Sequence, residues 1–256
     1  MHGILWHETI GSTNSGAAEI APQADNLTVV AAKNQTAGRG QRGNAWSHSA
    51  DDLAFSVIIR PGEDGIPAVA AAAQFALCES AALSVAEYLR SRGAAPEIKW
   101  PNDIYCGDSK ICGILIENTV RDSFVTGSIA GIGINLNRTA FPDWLPNPTS
   151  LRLLTGRRFG PEEELESFME IFRKRIAVSG SRSQREEYES MMYRKDSPSR
   201  FIDLTLPGGT DARREIVSGK EFSGIIRGVS PTGLLRIEMP DGSRKDFAFK
   251  EISYIL

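Results

Sequence analysis

Two arginines and three glycines crowd into six residues, Gly38-Arg39-Gly40-Gln41-Arg42-Gly43, followed by Asn44-Ala45-Trp46. A guanidinium is a planar, permanently charged fork of donors that suits carboxylate or phosphate. Glycine admits positive φ and close approach of backbone to a ligand. Together they predict a mobile, anion-gripping loop. Three further stretches carry hydroxyls, amides, cations and small residues. They are Ser12-Thr13-Asn14 with Gln35 downstream; Lys99-Trp100-Pro101-Asn102-Asp103 with Lys110 seven residues beyond Asp103; and Gly131-Ile132-Gly133-Ile134-Asn135.

Each stretch has a plainer reading beside it. The loop also spells the dinucleotide fingerprint, which needs a strand before it and a helix after. A strand at Leu27 to Ala32 is expected, but Leu53-Ala54-Phe55-Ser56-Val57-Ile58-Ile59 is β-rich and opens no helix. An Arg/Gly surface loop is a second option. Ser12, Thr13 or Asn14 could cap a helix. Trp100 could be core, and Lys110 could be a strand-end lysine reaching solvent.

The elements that must hold these residues follow from periodicity and punctuation. Ile4 to His7 reads as a short strand, and Ser15 to Ile20 as a helix. Leu27 to Ala32 and Leu53 to Arg60 are strands. Pro67 suits a first helical turn, and Gly93 suits a stop, so one helix of about 39 Å is expected between them. Glu97 to Tyr105 is a strand with a kinked exit at Pro101. Ile111 to Glu117 is apolar on both faces and therefore central. Phe124 to Leu136 is its partner, and glycines inside a strand mark close approach of a ligand or backbone. Pro161 opens a helix whose acidic start and basic end complement its dipole. Ser181 to Lys195 is another helix. Beyond Phe201 short β runs and the hairpin signal Asp241-Gly242 predict a small all-β unit.

Composition narrows the class. The chain has 256 residues, 41% hydrophobic and 24% charged, room for one large domain and a small second one. A net charge of -3 gives no overall nucleic-acid surface, so an anion site must be local. Cys78, Cys106 and Cys112 form no CxxC and no even set, which suits a reducing cytoplasm. His2, His7 and His48 lack metal-ligand spacing. No signal peptide is visible, and the Ala-rich run from Ile66 to Leu89 is too often interrupted by polar residues to span a membrane.

The four stretches, in this order and spacing, resemble the biotin protein ligases. The step from Asp103 to Lys110 and the run Ile111-Cys112-Gly113-Ile114-Leu115 carry the likeness furthest. The resemblance implies an α+β fold. A mixed β-sheet with helices packed on one side, as in class II synthetases, would occupy residues 1–200, and a C-terminal SH3-like β-barrel residues 201–256. It implies adenylation of biotin by ATP, then transfer to a lysine of a biotin carboxyl carrier protein. Adenylation brings a carboxylate against a phosphate, and fixed cations must offset their repulsion; Arg39, Arg42, Lys99 and Lys110 would supply them.

Residue by residue, Lys110 and Arg39 would be catalytic. Ser12, Thr13, Asn14, Gln35, Gly38, Arg39, Gly40, Gln41, Lys110, Gly113 and Gly131 would bind biotin. Arg42, Lys99, Trp100, Asn102, Asp103 and Asn135 would face ATP. Magnesium would ride mainly on the phosphates, with Asp103 as its protein ligand. Many members have arginine where this chain has Gln41 and Asn44, so the loop is less basic than theirs. The ligase pattern begins at residue 4, which leaves no room for the DNA-binding segment that some members carry; a monofunctional, cytoplasmic enzyme is expected, monomer or homodimer. Two rivals stand beside it: a lipoate or octanoate transferase of related fold, and an RNA- or partner-binding protein using the Arg/Gly loop.

Overall fold

The computed structural model describes residues 3–41, 45–47, 49–206, 209–210, 216–217 and 219–255. Strand β1 (Ile4–His7), helix α1 (Thr13–Ile20), and strands β2 (Val29–Ala32) and β3 (Leu53–Ile59) come first. They are followed by β4 (Val69–Ala70), α2 (Phe75–Ser91), β5 (Pro96–Lys99), β6 (Asp103–Cys106), β7 (Ser109–Arg121) and β8 (Phe124–Ile134). The sheet runs β1-β2-β3-β8-β7-β6-β5, with β4 paired to β8. Among the described strands of this sheet β1 and β2 alone pair in parallel, so the sheet is mixed. β7 lies between β6 and β8, the interior place its two apolar faces called for.

Side chains alternate across a strand with period two. Phe55, Val57 and Ile59 of β3 join Ala130, Ile132 and Ile134 of β8 in the main core. That face is covered by α2 and by α4 (Pro161–Ile176), which follows α3 (Leu151–Thr155). The Phe168 ring meets Phe55 edge-on at 5.0 Å and Tyr88 at 6.0 Å. α4 carries Pro161 at its start, Glu162 to Glu164 in its first turn and Arg173 to Arg175 in its last, the polarity that suits the dipole. The short α1 lies across the opposite face, where Ala17 packs on Val30, Ile58 and Ile129.

Three expected elements are redrawn. The long helix from Pro67 begins only at Phe75 and has 17 residues, about 26 Å. Val69 and Ala70 instead pair with Val125 and Phe124, and tertiary pairing outweighs alanine's helix propensity. The single strand from Glu97 to Tyr105 is a tight hairpin, β5 against β6, turning at Trp100-Pro101-Asn102. Helix α5 (Arg182–Ser190) stops short of Lys195. The Ile98 N–H donates to Met191 O (2.8 Å) and the Tyr193 N–H to Ile98 O (2.9 Å), so residues 191–193 cover the edge of β5 instead.

The C-terminal part holds β9 (Pro198–Asp203), β10 (Gly209–Thr210), β11 (Ile216–Val217), β12 (Lys220–Val229), β13 (Leu235–Glu238), β14 (Arg244–Phe247) and β15 (Ile252–Tyr254). Five of these form an antiparallel sheet, β14-β13-β12-β9-β15, around buried Phe201, Ile226, Leu235, Ile237 and Phe247. β10 and β11 pair with each other. Gly242 takes φ +81 in the turn after β13, as the Asp-Gly signal required. Among the described residues no helix is long and apolar enough to cross a membrane.

Candidate active site

The strand face opposite α2 and α4 carries a cleft of roughly 280 Å³. Its floor is nearly bare backbone: Gly113 of β7 opposes Gly133 of β8, and Leu115 opposes Gly131. Ser12 to Asn14, Gln35 and Arg39 to Gln41 wall one side; Lys99 to Asp103 and Lys110 wall the other. Of the predicted residues within the described set, only Gly38 and Asn135 are not part of that lining. Arg42, Gly43 and Asn44 lie outside the described residues, as do His2 and His48.

One wall is a chain of polar contacts. The Thr13 N–H donates to Gln35 Oε1 at 2.9 Å. The Ser56 hydroxyl lies 2.8 Å from Thr13 Oγ1 and donates to Asn14 Oδ1 at 2.6 Å. Asn14 Nδ2 donates to Glu117 Oε2 (2.8 Å), and Arg39 Nη2 to Glu117 Oε1 (2.5 Å). Ser12 stands at the N-cap of α1 yet makes no side-chain capping bond, so its buried hydroxyl is not spent on the helix end. A Cβ on Gly131 would fall 1.9 Å from Asn14 Oδ1. Glycine there is what lets Asn14 reach across the floor.

Lys110 sits at the start of β7, its Nζ 2.6 Å from Asp103 Oδ1 on β6. The Trp46 ring lies over Gly113 and Gly133; added Cβ atoms there would approach it to 2.8 and 2.4 Å. Lys110 Nζ is 5.7 Å from the centroid of that ring. Beyond Trp46 a second recess opens, lined by Asn135, Trp144, Leu145, Pro146 and Pro148, and Lys110 lines it too. The Lys110 N–H donates to Asn147 O (2.7 Å), and Thr149 donates back to Lys110 O (2.9 Å), so that recess is tied to the lysine.

Several predicted residues hold structure as well as face the cleft. The Trp100 indole N–H donates to Gly233 O of the C-terminal sheet at 2.9 Å. Asn102 Nδ2 donates to Ile114 O, and the Ile114 N–H to Asn102 O at 3.0 Å, locking the β5–β6 turn on β7. Asn135 Nδ2 donates to Thr149 O at 2.9 Å. Gly38 closes the loop by accepting from the Trp46 N–H at 2.9 Å. Burial pushes the Lys99 ammonium below its ordinary value, while the Asp103 carboxylate opposes that shift. Among the described residues no group of three or more His, Cys, Asp or Glu side chains is placed to hold a metal ion.

This geometry sits on a stretch that matches a known family. The model of the biotin/lipoate A/B protein ligase family matches residues 7–135. The chain belongs to that family. It is 30% identical over 253 residues to the bifunctional ligase/repressor BirA of Bacillus subtilis strain 168, covering 96% of this chain and 72% of that protein. A biotin--[acetyl-CoA-carboxylase] ligase of Mycobacterium tuberculosis is 31% identical over 239 residues, 90% of this chain and 80% of that one. The biotin protein ligase of Aquifex aeolicus, solved with biotin and ATP, superposes with a TM-score of 0.75 at 25% identity, covering 99% and 98% of the two chains.

Within this family fold the cleft also draws on residues that were not among the expected site residues. Ser56 is a polar residue inside an apolar strand, and that break in pattern was the available signal. Glu117 joins Asn14 to Arg39, but a carboxylate late in a strand reads as solvated. Phe249, Ile252, Ser253 and Tyr254 reach the cleft from the C-terminal sheet. No local motif announces them.

Proposed function

We propose that this chain is an ATP-dependent biotin protein ligase acting on the lysine of a biotin carboxyl carrier domain. The observation that carries the reading is the seat of Lys110 between two recesses of unlike chemistry. The first is floored by glycine and walled by Ser12, Thr13, Asn14 and Gln35, donors and acceptors fit for the ureido ring of biotin. The second is lined by Asn135 and the apolar Trp144, Leu145, Pro146 and Pro148, fit for a purine. A carboxylate from one side and an α-phosphate from the other meet at the ammonium.

In the first step a carboxylate oxygen attacks the α-phosphorus, the bond to the β-phosphate breaks and pyrophosphate leaves. Lys110, Arg39 and Lys99 stabilise the charge that this brings together. Arg39 and Lys110 wait on Glu117 and Asp103, so each arrives preoriented by a carboxylate. In the second step the carrier amine attacks the acyl carbon, AMP leaves and an amide forms. Asp103 is the cleft carboxylate at which a phosphate-borne Mg²⁺ would be held, where the ion would neutralise phosphate charge. The Trp46 ring covers the glycine floor, the position from which it would keep water from the mixed anhydride.

Mass spectrometry of a carrier domain incubated with this protein, biotin and MgATP tests the reading. A gain of one biotinyl group is expected. Transfer of lipoate in preference to biotin, with both supplied, would replace this reading with the lipoate one.

A further inference from the structure

The C-terminal sheet sends an aromatic ring into the cleft wall. Tyr254 of β15 faces Lys99 of β5, whose Nζ lies 5.0 Å from the Tyr254 ring centroid and 4.8 Å from that of Tyr105. Lys99 Nζ also donates to the Tyr105 hydroxyl at 3.2 Å. An ammonium over a ring face is held by the ring quadrupole, more strongly where water is excluded. The Tyr254 hydroxyl is buried and has no hydrogen-bond partner among the described residues. Burial raises its pKa, so the phenol stays neutral.

Lys99 differs from the other described cations of the cleft. Arg39 is held by Glu117 and Lys110 by Asp103, whereas no carboxylate among the described residues lies within ion-pair distance of Lys99, and Asp103 acts on it only from further away. Two rings hold the ammonium, and with no ion-pair partner among the described residues it can receive an arriving anion. Tyr254 is itself fixed. The Phe201 ring meets it edge-on at 5.3 Å, and the sheet is anchored by the Trp100–Gly233 bond.

We propose that Tyr254 is a positioning residue for the nucleotide: with Tyr105 it clamps the Lys99 ammonium, which has no ion pair among the described residues, at the cleft wall that receives the triphosphate. The proposal rests on the adenylating activity proposed above and extends that site into the C-terminal sheet.

Biotin-dependent ATP–pyrophosphate exchange by the full chain tests it. Tyr254→Leu raises the KM for ATP about tenfold and leaves the KM for biotin within about twofold. Tyr254→Phe, which keeps the ring, stays within about threefold of wild type. In a Lys99→Met background Tyr254→Leu adds nothing to the KM for ATP, because the pair acts as one unit. An unchanged KM for ATP in Tyr254→Leu overturns the proposal. So do equal rises for both substrates, a tenfold rise in Tyr254→Phe, or the same effect with and without Lys99. Should Tyr254→Leu fail to fold, Tyr254→Met keeps the bulk and carries the same expectations. A wild-type chain without biotin-dependent exchange would overturn the ligase assignment itself; intact exchange with unmoved variants overturns only the role of Tyr254.

Discussion

The two faces of the central sheet are built from the same strands and differ in almost every other respect. On one, Phe55, Val57, Ala130, Ile132 and Ile134 pack against α2 and α4 and are essentially excluded from water. On the other, the intervening residues of the same strands include Ala54, Ser56, Gly131 and Gly133, and the space they leave is the cleft. One residue of offset separates a close-packed core from the floor of a cleft, because strand side chains alternate. The core face is defined by bulk. The cleft face is defined by its absence, with charge brought in from loops and strand ends.

Truncating bulk and truncating charge should therefore fail differently. Phe55→Ala removes a ring fully buried against Phe168. It should cost about 3–5 kcal/mol in urea unfolding while the folded fraction keeps its KM for ATP; a large KM change would deny that the faces are separable. Lys110→Ala should lower biotin-dependent ATP–pyrophosphate exchange by about 10²–10³-fold with little change in melting temperature. Near-normal exchange would sink the role given to Lys110. Gly131→Ala drives a Cβ into Asn14. It should cost about 1–3 kcal/mol and raise the KM for biotin more than that for ATP, and an unchanged biotin KM would place that ligand elsewhere.

The smallest effect lies on the core side, where bulk gives way to a buried charge. Glu79 of α2 is fully buried beside Arg185 of α5. Burial raises its pKa from 4.5 to about 6, against the pull of Arg185. The folded state then holds the proton more tightly than the unfolded one. Its contribution to stability is full below pH 4.5 and is lost as pH rises through 6. Glu79→Gln should flatten that slope, by at most about 2 kcal/mol; an unaltered pH profile would assign the slope to other groups.

Much of this was legible without coordinates. The β-rich run Leu53–Ile59, the apolar run after Lys110 and the glycines of Phe124–Leu136 marked three strands, the last two as partners, and hinted at close approach of a ligand or backbone. Ser12, Thr13, Asn14, Gln35, Lys99, Asp103 and Lys110 were recognisable as one set by type and spacing, and they do line one cleft. Two of the three misjudged elements share a cause. Val69–Ala70 and Met191–Tyr193 left expected helices to satisfy strand edges made by residues far away in the chain, and no local preference records such a demand.

What the sequence by itself determined was the set of strands, the face each side chain takes and the family of motifs, because these depend on periods of two and on residue type at fixed spacing. What only the tertiary structure decided was which carboxylate holds which cation, where the Trp46 ring comes to rest, and that a tyrosine two residues from the end of the chain closes on Lys99. Those are contacts across long separations, set by how two sheets dock, and neither partner's neighbours in sequence specify them.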